Sequence, residues 1–406
     1  MRRHSKNAAL VLVSLVIGIA FLEIALRALG ISYAHFYRPD PLLGQVLVPN
    51  AEGWDRSEND TLIRINSLGM RDREREIAKP AGTFRIAVLG DSYTEAKQVA
   101  LDETFPSVVE RRLTECPALG DRKIEVLNFG VAGYGTTQEL LMLESRASRF
   151  DPDLVVLAML TGNDIRNNSI ELQGPSKPHF VERDGELVLD FDFASSLGSR
   201  IRTSALGRWY YELVPHSRLL QVLQEAMLAS KRKGQMERRA EELKQTPELA
   251  AEGFEIGLDH QIYLPPTEPA WSSAWHVTEQ ILLRLRRMVE ADGTRFLLVV
   301  LSNGIQVHPD ETVRQRFEAA IGATDLFYPD RRIGDFATAN GIDHLLLAPL
   351  LADRARATDQ CMHGFLQSVP CSGHWNAHGH ATAGEIIADK ICRDVLPSTP
   401  GAAGAG

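Results

Sequence analysis

Several things are scarce in this 406-residue chain, and each scarcity excludes a class of function. Only four cysteines occur, Cys116, Cys361, Cys371 and Cys392, and their spacing offers no thiolate zinc site. Positive charge is in deficit: 44 Lys and Arg against 53 Asp and Glu leave a net charge of −9, so there is no basic footprint for nucleic acid. No internal repeat is present. Gly90 follows an apolar run, but Gly-x-Gly-x-x-Gly does not follow, which removes a dinucleotide cofactor. The Gly-x-Ser-x-Gly elbow is also missing, because Thr94 stands where its second glycine belongs. His374, His378 and His380 lack a nearby carboxylate to complete a metal set, and Gly379 weakens any helix there. Neither metal nor cofactor is expected.

Long apolar runs are scarce too, with one exception. Ala8 to Leu22 is interrupted only by Ser14 and Gly18, and the run extends to Ile31 if Glu23 and Arg27 are tolerated. A bilayer takes about 20 residues. Glu23 and Arg27 stand four apart in the favourable order, near the far end, where long side chains reach the headgroups. Arg2, Arg3, His4 and Lys6 precede the run, which places the N-terminus in the cytoplasm and the body outside. Residues 1–30 therefore read as an uncleaved signal anchor, since the charged pair spoils the usual processing region. A cleaved signal peptide ending near Ala28-Leu29-Gly30 is the alternative. Export permits disulfides. A Cys361–Cys371 bridge would brace the loop three residues before His374, and buried free thiols are the other reading.

The rest of the composition, 44% hydrophobic and 24% charged, is that of a globular protein with a sizeable core. Residues 31–80, rich in Pro, Gly, Asn and charge, read as a stalk or small β-rich lead-in. From Phe84 the chain alternates buried strands (Phe84 to Leu89, Ile124 to Phe129, Leu154 to Leu160) with helical patterns (Glu103 to Thr114, Thr136 to Arg149). Continuous Val/Leu/Ile strands between helices indicate a parallel sheet covered on both faces. Residues 166–269 break the pattern as a large insertion, with a hairpin-like piece (His179 to Phe193) and a charged helix (about Arg218 to Lys244). That helix reads as a solvated face, with a partner surface or a lid as alternatives. The rhythm resumes with a helix from Ser273 to Glu290, a strand Phe296 to Leu301, a helix Asp330 to Asn340, a strand Asp343 to Ala348 and a helix Gly379 to Cys392. The core domain is thus 81–165 with 270–395, and 396–406 is a small-residue tail expected to be disordered.

Three segments carry chemistry: Gly90-Asp91-Ser92, Gly162-Asn163-Asp164 and His374-Trp375-Asn376. In parallel sheets, ligands bind beyond the carboxyl ends of the strands. Ser92, the turn Asn128 to Gly133, and Asn163 all follow strands and so fall on one edge. A serine that attacks, a histidine that takes its proton and an asparagine that donates to an oxyanion make a hydrolytic set. Ser92 and Asn163 could instead be a helix cap and a turn residue, as could Asn128. Asp91 reads as fixing the turn, and His380 as a buried, hydrogen-bonded histidine.

At these residues the chain resembles the SGNH, or GDSL, hydrolases. Ala87 to Ser92, Asn128 to Gly133, Gly162 to Asp164 and His374 to His380 are similar to that family's four blocks, in order. The resemblance implies a flavodoxin-like α/β/α sandwich and ester hydrolysis or acyl transfer. It implies Ser92 as nucleophile, His374 as base, and Gly133 and Asn163 as oxyanion donors. The N-terminal anchor and the Gly-His-Trp-Asn ending resemble exported bacterial members, often associated with acyl groups on cell-surface polysaccharide. One departure stands out. The family's aspartate two or three residues before the histidine is replaced here by Cys371 and Ser372. Asp353 or Asp359 is then the candidate orienting acid, or a backbone carbonyl holds the imidazole, or catalysis is weak. The expected activity is a membrane-anchored, externally facing serine esterase acting on an acylated small molecule or polysaccharide. Acyl transfer by the same site, or a non-catalytic carbohydrate-binding protein, are the alternatives.

Overall fold

The structure, a computed structural model, describes residues 2–244, 259–365 and 370–396. Eleven strands occur among them. Four short ones form two antiparallel hairpins in the lead-in: β1 (Tyr37–Asp40) with β2 (Gly44–Leu47), and β3 (Glu52–Asp55) with β4 (Thr61–Arg64). β5 (Thr83–Gly90), β6 (Lys123–Asn128) and β7 (Leu154–Met159) follow. A third hairpin, β8 (His179–Arg183) with β9 (Glu186–Asp190), opens the insertion. β10 (Arg295–Val300) and β11 (His344–Leu346) complete the set.

The central sheet has five strands in the order β11-β10-β7-β5-β6, every pair parallel. Counted along the chain, its strands lie 2-1-3-4-5, the flavodoxin-like order. β5 and β7, and β6 apart from Lys123, are buried along their whole length because both faces are covered. Ala87, Leu89, Val155, Leu157, Leu298 and Val300 pack with the helices Thr136–Ser145, Pro269–Ala291 and Tyr328–Ala339. Phe84, Ile86, Val88, Val156, Leu297 and Val299 pack on the other face with the helices Phe105–Leu113, Leu347–Thr358 and Ala377–Lys390. The molecule is a three-layer α/β/α sandwich, as expected.

Two expectations need correction. The strand expected over Asp343 to Ala348 is only His344–Leu346; Leu347 opens a helix to Thr358. A short apolar run such as Leu345 to Leu351 carries no period that separates strand from buried helix. Of the two readings of the lead-in, the β-rich one holds and the stalk does not. Leu43, Leu47, Ile63, Ile65 and Met70 are buried in the same core as the sheet.

Cys361–Cys371 and Cys116–Cys392 are both disulfide-bonded. The second ties the loop before β6 to the end of the last helix. Among the described residues, one helix is long and apolar enough to cross a membrane, with a window over Leu10–Ala28 of mean hydropathy 2.3, none of it buried. The expected disordered tail, from Pro397 on, and residues 245–258 of the insertion lie outside the described residues.

Candidate active site

The site forms at the carboxyl rim of the sheet, where β5 lies between β6 and β7 and the strand order reverses. β5 ends at Gly90, and Asp91 caps the short helix Ser92–Glu95, its side chain accepting from Tyr93 N at 2.8 Å. The tight turn needs Gly90: a Cβ there would lie 2.1 Å from Thr94 Oγ1. Thr94 thus packs into the space that the glycine leaves.

Ser92 Oγ lies 2.8 Å from His374 Nε2. On the other side of the ring, Nδ1 lies 2.5 Å from Glu58 Oε1, and the backbone N–H of His374 donates to Glu58 Oε2 at 3.0 Å. A carboxylate can only accept, so Nδ1 carries the hydrogen and Nε2 is the acceptor for the serine hydroxyl. This is the tautomer a general base needs. Burial alone would raise the Glu58 carboxyl; the hydrogen bond and charge of His374 outweigh it and hold Glu58 below the ordinary value. Gly373 is required by its backbone, at φ +90°, and a Cβ there would also meet Glu58 Oε2 at 2.6 Å.

Asp353 and Asp359, the expected orienting acids, are not there. Asp353 is on the exposed face of the helix Leu347–Thr358, paired with Arg356, and Asp359 is the exposed residue that ends that helix. The acid comes instead from the turn between β3 and β4, 316 positions before the histidine. Sequence reasoning missed it because Glu58 stands in the polar run Asp55 to Asp60, which reads as an ordinary turn.

The histidine loop is braced on several sides. Tyr93 O–H donates to Gly373 O at 3.1 Å, and the Tyr93 and His374 rings lie 4.9 Å apart. His363, buried and also missed, meets Gly373 O at 2.7 Å and Ser302 Oγ at 3.0 Å, and Trp375 Nε1 donates to the same Ser302. Burial pulls the His363 imidazole down to about 4, so it stays neutral. Asn376 caps the last helix by accepting from Gly379 N at 3.0 Å. His380 is buried, its Nδ1 accepting from Phe105 N at 3.3 Å, with burial lowering it to about 3.

Asn163, just past β7, donates from Nδ2 to Asp91 Oδ2 at 2.8 Å. That contact uses one of two amide hydrogens, fixes the carboxamide beside the nucleophile turn, and leaves a second hydrogen. Burial raises Asp91, partly offset by the bonds from Asn163 and Tyr93. Asn128 braces its loop: Nδ2 donates to Thr94 O at 2.7 Å, and Oδ1 accepts from Gly130 N at 2.9 Å.

Gly133, at φ +77°, sits in a clamp. Gln45 Nε2 donates to Ala132 O at 2.7 Å, the carbonyl of the amide whose N–H belongs to Gly133. Lys177 Nζ donates to Gly133 O at 2.8 Å. Burial lowers the Lys177 ammonium to about 8 against the pull of Asp164, Glu139 and Asp91. Burial first, then repulsion among neighbours, raises Glu139 and Asp164 well above the carboxylate range. Arg71, from the lead-in, is buried and donates to Glu95 O at 2.7 Å, holding the far end of the nucleophile turn.

No family model and no curated protein matches the sequence. Among solved structures, the chain is similar to a catalytic mutant of an acetylxylan esterase from Geobacillus stearothermophilus, at 10% identity and TM-score 0.36, over 76% of this chain and 94% of that one. It is similar to an acetyl xylan esterase at 11% identity and TM-score 0.35, over 76% and 98%. It is also similar to a lipase/acylhydrolase from Enterococcus faecalis at 13% identity and TM-score 0.34, over 76% and 96%. At this level of likeness, function has to be read from this chain's own side chains.

Proposed function

We propose that the chain is an SGNH-type serine esterase, held at a membrane by the helix Arg2–Ala28 with its catalytic body on the far side. The observation that carries the reading is the continuous relay Ser92–His374–Glu58 on the sheet rim. Ser92 Oγ attacks the acyl carbonyl as its proton passes to His374 Nε2. The oxyanion takes hydrogen bonds from the backbone N–H groups of Ser92 and Gly133 and from the Asn163 carboxamide. His374 then protonates the departing alcohol, leaving an acyl-serine. Water, deprotonated by the same nitrogen, releases the acid. Glu58 holds the ring and stabilises the imidazolium, and it is the expected acid supplied from an unexpected place.

The His374 side chain is about a quarter exposed, at 25%. A site this open suits an ester borne on a larger carrier, such as an O-acyl group on carbohydrate. It also admits an alcohol as readily as water, which favours acyl transfer to a sugar hydroxyl as the second reading. A non-catalytic reading needs a histidine that no acid orients, and the Glu58 carboxylate on His374 removes that ground. The topology of the anchor follows from its basic N-terminal flank. A fluorophosphonate probe followed by mass spectrometry tests the enzyme: the adduct is expected on Ser92, and Ser92→Ala should abolish p-nitrophenyl acetate turnover. No adduct, or unchanged turnover in that variant, would overturn the proposal. Products formed in the presence of acceptor glycans separate hydrolysis from transfer; only free acid in every case rules transfer out.

A further inference from the structure

The insertion carries an apolar face that the fold does not cover. Leu197 and Ile201, one turn apart on the helix Leu197–Thr203, are 73% and 58% exposed. Leu206 and Trp209 on the next helix, Ala205–Leu213, are 72% and 59% exposed. The two helices pack tightly end to end, since a Cβ on Gly207 would lie 2.4 Å from Ile201 O. A soluble protein rarely leaves so many large side chains of neighbouring helices in water. The charge around them is mainly positive: Arg200, Arg202 and Arg208 are exposed, against one exposed acid, Glu212, within Leu197–Leu213. The chain as a whole carries −9.

The position of this face is set by the N-terminal helix. Glu23 accepts from Ser217 Oγ, Arg218 N and Leu219 N, and so caps the helix Arg218–Lys244. Arg27 donates to His216 O at 2.7 Å. Glu23 stands five residues before Ala28, the end of the apolar window. At a rise of 1.5 Å per residue, the contact lies about 7 Å inside that end. Residues 216–219 are thereby drawn down to the boundary between acyl chains and headgroups. Val214 and Pro215 alone separate them from the helix that bears Leu206 and Trp209.

We infer that the helix pair Leu197–Leu213 lies in the interface of the bilayer that the N-terminal helix crosses. Leu197, Ile201, Leu206 and Trp209 enter the acyl boundary, and Arg200, Arg202 and Arg208 meet lipid phosphates. Apolar helix faces with arginine flanks and a tryptophan suit that depth. The body is then fixed in orientation as well as tethered. This rests on the reading of Arg2–Ala28 as a membrane anchor.

The test uses the full chain reconstituted in vesicles of phosphatidylcholine and phosphatidylglycerol, with bromines near the headgroup end of the acyl chains. Trp209 is exposed, so Trp209→Phe should fold, and retained fluorophosphonate labelling of Ser92 checks this. The bromine-quenched part of the tryptophan emission is expected to fall by half or more in Trp209→Phe. Phe21→Trp in that background reports on the anchor separately and should be quenched by deeper bromines. Quenching of the Phe21→Trp emission, with an unquenched Trp209, overturns the interfacial docking and leaves the anchor standing. No quenching at either position overturns both. A blue-shifted but unquenched Trp209 means that a protein surface, not lipid, covers the face, and also overturns the inference.

Discussion

Residues 31–80 and 166–269 both stand outside the alternating strand-helix rhythm, and they have opposite fates. The lead-in is only short hairpins and turns, yet Leu43, Leu47 and Ile63 are buried to within 1% and its polar residues converge on the site. It supplies Glu58 to His374, Gln45 to the amide of Gly133, and Arg71 to the turn after Ser92. The described part of the insertion is mostly helical, yet it leaves Leu197, Leu206 and Trp209 in the open and reaches the site through Lys177 alone of the contacts described above. Regular secondary structure is thus a poor guide to which segment belongs to the catalytic body. What matters is which segment's apolar side chains find the common core and which polar groups are carried in with them.

The largest effect expected from breaking that contrast is on stability. Ile63→Ala empties a fully buried position and should cost about 3 kcal/mol. Ile201→Ala, on the exposed face, should stay within about 0.5 kcal/mol in detergent. Thermal unfolding of the full chain compares the two; equal losses would show that the insertion is as integral as the lead-in. A smaller effect is expected at Gln45. Gln45→Ala should lower kcat about tenfold with KM nearly unchanged, because the amide that carries the Gly133 N–H loses its orienting donor. Steady-state kinetics on p-nitrophenyl acetate reads this, and a raised KM with unchanged kcat would assign Gln45 to binding instead.

The smallest is a pH effect. Glu58 is held below its ordinary value in the folded chain. Its contribution is therefore present above that ordinary value and is lost as pH falls through the depressed one. The stability difference between the native chain and Glu58→Gln, on the order of 1 kcal/mol, should close as pH falls from the ordinary value of 4.5 through the depressed one. A difference that persisted in full once Glu58 is protonated would contradict the interaction.

The central sheet was legible because continuous Val/Leu/Ile strands declare a doubly covered parallel sheet. Its strand ends then place Ser92 and the Asn163 turn on one rim. The helix Leu347–Thr358 was not legible, because its opening Leu-Ala-Pro-Leu-Leu has no readable period. Neither was Glu58: a carboxylate among Asp55, Glu58 and Asp60 looks like surface, and only long-range packing of β3 and β4 turns it toward His374. Gln45 and Lys177 were hidden for the same reason, since their work is done on backbone carbonyls, which leave no mark on sequence.

The origin of the acid is the sharpest point to measure. The rate of fluorophosphonate labelling at Ser92 should fall by about 10²–10⁴ in Glu58→Gln, the scale seen when an orienting acid is lost. The same rate should be unchanged in Asp353→Asn and Asp359→Asn. Native labelling in Glu58→Gln, or a comparable fall in either aspartate variant, would contradict the relay.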